Sequence, residues 1–204
     1  MQTIVYTASH EIDNEIDIIS ELFETGVDYL YIRKPELDDF SLVDFVEKIP
    51  EKYWKKCIST SMIITKEFDL GGYHFTRDIL YKNELYNEKI LSWLHASNKI
   101  SSVSAHTELA LHKYGGKFRH IIVSPLFKSI SKENYSYNWN MEELKNTLSS
   151  LQTKAKYFAV GGIEINKLES VKALDFNGVG LLGAIWNNPE SAVNTVHQII
   201  NKLK

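Results

Sequence analysis

The sequence predicts an α/β protein built as a single (β/α)8 TIM barrel, one domain over residues 1–204. First, short β-branched or aromatic runs alternate with helix-like runs from end to end, about as often as eight βα units require. Second, strand runs such as Ile121-Ile122-Val123 lack polar alternation, as suits a parallel sheet covered by helices. Third, two late strands end in glycine, in Ala159-Val160-Gly161-Gly162-Ile163 and Leu181-Leu182-Gly183-Ala184-Ile185. Helix-start chemistry follows each. Backbone N–H groups at such turns converge on an anion, and loops seven and eight of a barrel commonly hold a phosphate. An open doubly wound sheet ranks second, because no G-x-G-x-x-G follows the first strand.

In order, residues 3–8 form the first strand. Asp13 caps a helix with Ile16, Ile19, Leu22 and Phe23 at helical spacing, and Gly26 stops it. Residues 29–33 are a strand, and 38–48 a helix with Phe40, Val43 and Val46 on one face. Residues 57–60 make a short strand, 62–69 a short helix, and 73–76 the strand after Gly71-Gly72. Residues 83–96 are a helix with Leu85, Ile90, Leu91 and Leu94 in register. Strand 100–104, helix 107–114 with its Gly115-Gly116 stop, and strand 119–124 follow. Helix 140–151, strand 156–160, helix 164–174 and strand 178–182 complete the pattern. Asn188-Pro189-Glu190 opens the last helix, with proline where no N–H donor is needed. The longest connection, 125–139, holds lysines, serines and four aromatics and reads as a ligand-covering loop.

With 204 residues, 44% of them hydrophobic, the chain supports one sizeable core. A net charge of -3 with mixed signs argues against a nucleic-acid face. The single cysteine, Cys57, excludes an internal disulfide and reads as packing. The first residues lack a signal-peptide pattern and no run is long enough to span a membrane, so the expectation is a cytoplasmic protein, as a monomer or homo-oligomer.

In a barrel, chemistry gathers at the C-terminal ends of the strands. Those positions offer Arg33 and Lys34, Ser59 and Thr60, His74 and Asp78, Ser104 and His106, Ser129, Ser131 and Lys132, Gly161-Gly162, and Gly183-Ala184. Cations, hydroxyls and glycine turns together suggest a phosphorylated ligand. Plainer readings stand beside these: Ser104 or His106 as a helix cap, Arg33 as a salt-bridge partner of Glu36 or Asp38, and His74 as a packed histidine. Trp54, Trp93 and Trp186 read as packing residues, and Trp139 as a ligand cover or a rim anchor.

The ordered motifs resemble the family of thiamin phosphate synthases and TenI proteins. Tyr31-Ile32-Arg33-Lys34 is similar to its Q-L-R-E-K, Gly72-Tyr73-His74-Phe75 to G-V-H-V, and Ser102 to Thr107 to G-V-S-T-H-T. The run Ser124 to Lys132 resembles G-P-I-F-P-T-x-T-K, and the two glycine turns A-I-G-G-I and V-V-S-A-I, so the likeness spans 3–185. It implies a (β/α)8 barrel. It also implies either the Mg²⁺-assisted joining of a hydroxymethylpyrimidine pyrophosphate to a thiazole phosphate, or tautomerisation of the thiazole phosphate carboxylate. On that basis Arg33 and Lys132 contact pyrophosphate, Ser129 and Ser131 face the same anion or the thiazole tail, and Gly162 and Gly183 offer amides to the thiazole phosphate.

The chain departs from the family where Mg²⁺ is held. The N-D-D position reads Ser59-Thr60-Ser61, Asp78 stands one residue before the second metal position, and Lys34 one before the family lysine. Hydroxyls are poor substitutes for carboxylates toward a hard cation. Metal-free TenI-like tautomerase chemistry with His106 as base is therefore preferred. A synthase with Mg²⁺ on Asp78, and a non-catalytic thiazole or thiamin phosphate binder, are the alternatives.

Overall fold

The strands follow the sequence pattern closely: β1 Gln2–Tyr6, β2 Tyr29–Ile32, β3 Cys57–Ser59, β4 Gly72–Phe75, β5 Ile100–Ala105, β6 His120–Val123, β7 Lys156–Val160 and β8 Gly178–Leu181. They come from a computed structural model that describes residues 1–127 and 139–204. Each strand pairs in parallel with the next, and β8 returns to β1 with Ile4 opposite Gly180, so the sheet is a closed eight-stranded barrel.

Side-chain alternation divides the core in two. Ile4, Tyr31, Ile58, Ile122 and Phe158 point into the barrel. Their strand neighbours, such as Val5, Leu30, Ile121 and Ala159, point outward and pack with the helices. The covering helices are α1 Glu15–Glu24, α2 Asp39–Glu47, α3 Met62–Glu67, α4 Arg77–Lys82, α5 Glu84–Ala96, α6 Glu108–Gly115, α7 Met141–Ser150, α8 Leu168–Lys172, α9 Gly183–Trp186 and α10 Ala192–Leu203. Among the described residues no helix is long and apolar enough to cross a membrane.

Several helices start where short polar side chains satisfy their first N–H groups. Asp38 accepts from Ser41 N at 2.8 Å, Asn83 from Tyr86 N at 2.9 Å, Thr107 from Ala110 N at 3.2 Å and Asn140 from Glu142 N at 3.1 Å. The cap before α6 is thus Thr107 rather than Ser104 or His106. Asp13 does not cap α1. Asn14 takes that position in a left-handed conformation without a side-chain bond. The carboxylate of Glu15 instead turns back to accept from Ala8 N at 2.8 Å.

Phe40 is 85% exposed, because α2 turns Leu42 and Val46 to the core instead. Leu85 is likewise exposed, and α5 buries Asn87, Ile90 and Leu94. The expected helix over 164–174 is a 3₁₀ turn, Ile165–Lys167, followed by α8. The last helix is also preceded by a 3₁₀ turn, Pro189–Ser191. Trp186 is anchored by its indole N–H to Tyr6 O at 2.6 Å, and Trp139 by its own to Pro125 O at 3.1 Å.

Candidate functional site

The strands' C-terminal ends open on a cavity of about 740 Å³. Arg33, His74, Ser104 and His106 line it from β2, β4 and β5, and Gly161-Gly162 and Gly183-Ala184 line it from the other side. One barrel end thus gathers groups that lie far apart in sequence, as the alternating pattern requires.

Arg33 is held through its backbone. Its N–H donates to Thr7 Oγ1 at 2.9 Å, and its carbonyl accepts from the same hydroxyl at 3.2 Å. Thr7 is buried, so β1 and β2 clamp the arginine's peptide while the side chain stays exposed at the mouth. Neither Glu36 nor Asp38 pairs with it, and among the described residues its guanidinium has no ion-pair partner.

Lys34 lies elsewhere. Its ammonium pairs with the buried carboxylate of Glu15 and does not line the cavity. Strand alternation sends it to the opposite face from Arg33, where a buried carboxylate already holding Ala8 N needs a cation. Ser59 is also outside the cavity: it is fully buried, its hydroxyl accepts from Ser61 N at 2.9 Å, and Thr60 lines the wall instead.

His106 is half-buried, with Nδ1 against the carbonyl oxygen of Ser124. A carbonyl only accepts, so Nδ1 carries a proton, and in the neutral ring the lone pair sits on Nε2. His74 bonds to two hydroxyls, Ser102 Oγ at 2.9 Å and Ser104 Oγ at 3.3 Å. Burial, then the charges of Arg33 and His106, pull its pKa down to about 4. It is therefore neutral at pH 7.

Gly161 and Gly162 have φ of 97° and 63°, the left-handed region that glycine tolerates best. Their turn is tied down by Phe127 N donating to Gly161 O at 3.1 Å and Lys167 Nζ to Gly162 O at 3.2 Å. Gly183 and Ala184 open α9, and among the described residues neither N–H has an acceptor. Leu182 O takes the N–H groups of Ile185 and Trp186, and Gly183 and Ala184 line the cavity.

Among the described residues the donor set does not fit Mg²⁺. Asp78 is exposed on α4, outside the cavity. Among the described residues, the acidic side chain on the wall is Glu164, which pairs with Lys167 at 3.3 Å. Among the described residues no three His, Cys, Asp or Glu side chains cluster. Ser129, Ser131 and Lys132 lie outside the described residues.

The cavity also contains residues that the linear reading passed over as site groups. Tyr6 and Tyr31 form its floor, with ring centroids 5.2 Å apart, and Arg77, Tyr81 and Asn187 stand on its rim. Arg77 opens α4 two residues after the end of β4, a position that could have identified it.

The chain matches the family described as thiamine monophosphate synthase over residues 3–185. No curated protein matches it. Among solved structures, it is similar to a thiamine phosphate pyrophosphorylase from Bacteroides thetaiotaomicron, with 23% identity, TM-score 0.76, and 98% of this chain and 96% of that one covered. A thiamine phosphate pyrophosphorylase from Pyrococcus furiosus is similar at 14% identity, TM-score 0.76, with 98% and 94% covered. A 3-hexulose-6-phosphate synthase shares the fold at 12% identity and TM-score 0.66, with 97% and 98% covered.

Proposed function

The chain belongs to the thiamine monophosphate synthase family, and from that premise we propose that it binds a phosphorylated thiazole and shifts a proton within it, as TenI-type members do, without a divalent metal. The observation that carries this reading is the placement of His106. Its Nδ1 is fixed on Ser124 O, and the ring borders the same cavity as Arg33 and the two glycine turns. A fixed tautomer with a bare Nε2 is a general base, able to take a proton from a substrate carbon and return it to another atom. Amides at Gly162 and Gly183 hold the phosphoryl group, and Arg33 meets the remaining negative charge. The hydroxyl-only end of β3 and the outward Asp78 support metal-free chemistry, since joining with pyrophosphate departure leans on charge neutralisation by a cation.

One assay separates the readings. The purified protein is given thiazole phosphate carboxylate, and separately thiazole phosphate with hydroxymethylpyrimidine pyrophosphate, each with Mg²⁺ or with EDTA. Tautomer interconversion indifferent to EDTA is expected. Mg²⁺-dependent formation of thiamin phosphate overturns the metal-free reading. If neither reaction occurs but thiazole phosphate raises the Tm, the protein is a binder.

The two glycine turns give opposite expectations. An added Cβ at Gly161 sits 2.8 Å from Pro125 Cα, at a φ of 97°. Gly161→Ala should therefore lose about 2 kcal/mol of stability in urea unfolding. At Gly183 the nearest atom is Asn187 Nδ2 at 3.5 Å, so Gly183→Ala should unfold like the wild type. Gly183→Pro, which takes away the amide proton at a first-turn position that tolerates proline, should lower affinity for thiazole phosphate about tenfold, a cost of about 1.4 kcal/mol. Unchanged affinity in a titration would remove Gly183 from the site.

A further inference from the structure

A line of polar side chains runs through the barrel from the cavity floor toward its other end. Ser104 Oγ is 3.3 Å from His74 Nε2, and His74 Nδ1 is 2.9 Å from Ser102 Oγ. The Tyr31 hydroxyl donates to Ser102 Oγ at 2.9 Å and lies 3.1 Å from His120 Nδ1. Tyr31, Ser102 and His120 are all buried. His120, the first residue of β6, sits between the rings of Tyr29 and Phe158 at 4.9 and 4.8 Å.

The direction of this chain follows from counting protons. Tyr31 has one, and gives it to Ser102. Toward His120 it can then only accept, so His120 carries its proton on Nδ1. Ser102, already accepting from Tyr31, turns its own proton to His74 Nδ1. The neutral His74 ring therefore holds its proton on Nε2 and donates it to Ser104. Ser104 has its inward lone pair occupied and one proton left, free for the cavity. Both rings are neutral at pH 7: burial and the charges of Lys156 and Arg119 pull His120 to about 3, as His74 is pulled to about 4.

We propose that this chain presets the Ser104 hydroxyl as a donor to the negative charge that develops on the ligand when His106 withdraws a proton. The inference rests on the tautomerase reading. No proton is consumed along the chain: His106 removes the proton and returns it, while Ser104 stabilises the enolate-like intermediate by hydrogen bonding. A donor fixed in advance costs no reorganisation at the moment of reaction. His74, Ser102, Tyr31 and His120 act through Ser104 as positioning residues.

The test begins with the intact protein, ¹⁵N-labelled at histidine, at pH 7. Long-range ¹H–¹⁵N spectra should show His74 protonated on Nε2 and His120 on Nδ1. The opposite tautomer at either ring, or an imidazolium, overturns the proposal. In the tautomerisation assay, Ser104→Ala should lower kcat about 10²-fold with KM within twofold. Tyr31→Phe should lower kcat less, and its His74 signals should show a mixture of tautomers. Full kcat in Ser104→Ala overturns the donor role even if the tautomers are as expected. A wild-type protein without tautomerase activity defeats the functional reading, whereas the tautomer spectra still decide the chain's direction.

Discussion

His106→Asn lowers the rate of proton shift by about 10²–10⁴-fold and leaves thiazole phosphate binding in place. General acid–base groups contribute on that scale, and asparagine has no basic nitrogen to replace Nε2. The ring is hydrogen-bonded to the Ser124 carbonyl through Nδ1, while the amides proposed to hold the phosphate follow β7 and β8. Calorimetric titration with thiazole phosphate and single-turnover rates read the two effects separately. Loss of both would make His106 a support for the Ser124 segment rather than a base.

Stability falls steeply as pH drops from 6.5 toward 4. His74 and His120 are lowered from 6.5 to about 4 and about 3, mainly by burial. In that window the unfolded chain binds protons that the folded protein refuses. Their contribution is complete above pH 6.5 and is lost on acidification, at up to about 2.7 kcal/mol per pH unit when both groups titrate. Asp69, lowered to about 2 by hydrogen bonds from Lys55 and then Lys99, adds to the loss only below about pH 4. Urea midpoints between pH 7.5 and 4.5 measure the slope, and His120→Gln should reduce it by about half. A flat profile would mean that the barrel interior accommodates imidazolium.

The barrel was legible because its signals are local: apolar runs at strand or helix spacing, and glycine stops at Gly26 and Gly115-Gly116. Each reports on its own segment. The misreadings concern what neighbours supply. Phe40 has a fitting helical position, but the core on that side is closed by Leu42 and Val46. Short elements also escaped: α4 and α9 are each under two turns, too brief for a period of 3.6 to register. Lys34 looked like an anion ligand because its partner Glu15 lies 19 residues away and becomes buried only when β1 and β2 pair. Ser59 and Thr60 differ by one step of strand alternation, and that step decides which reaches the cavity. The path from Ser104 to His120 joins four strands, so no window of sequence contains it.

Arg33 brings a local cation to the mouth of a protein whose net charge is -3. Phosphorylated molecules are repelled by the whole and drawn in by the entrance. Encounter rates should then depend on ionic strength in two opposing ways: screening weakens the distant repulsion first, over roughly 10 Å at 0.1 M salt, and the close pull of the guanidinium only at higher concentrations. Capture of a dianion would pass through a maximum with added salt, a kinetic signature distinct from the steady decline of a uniformly basic surface.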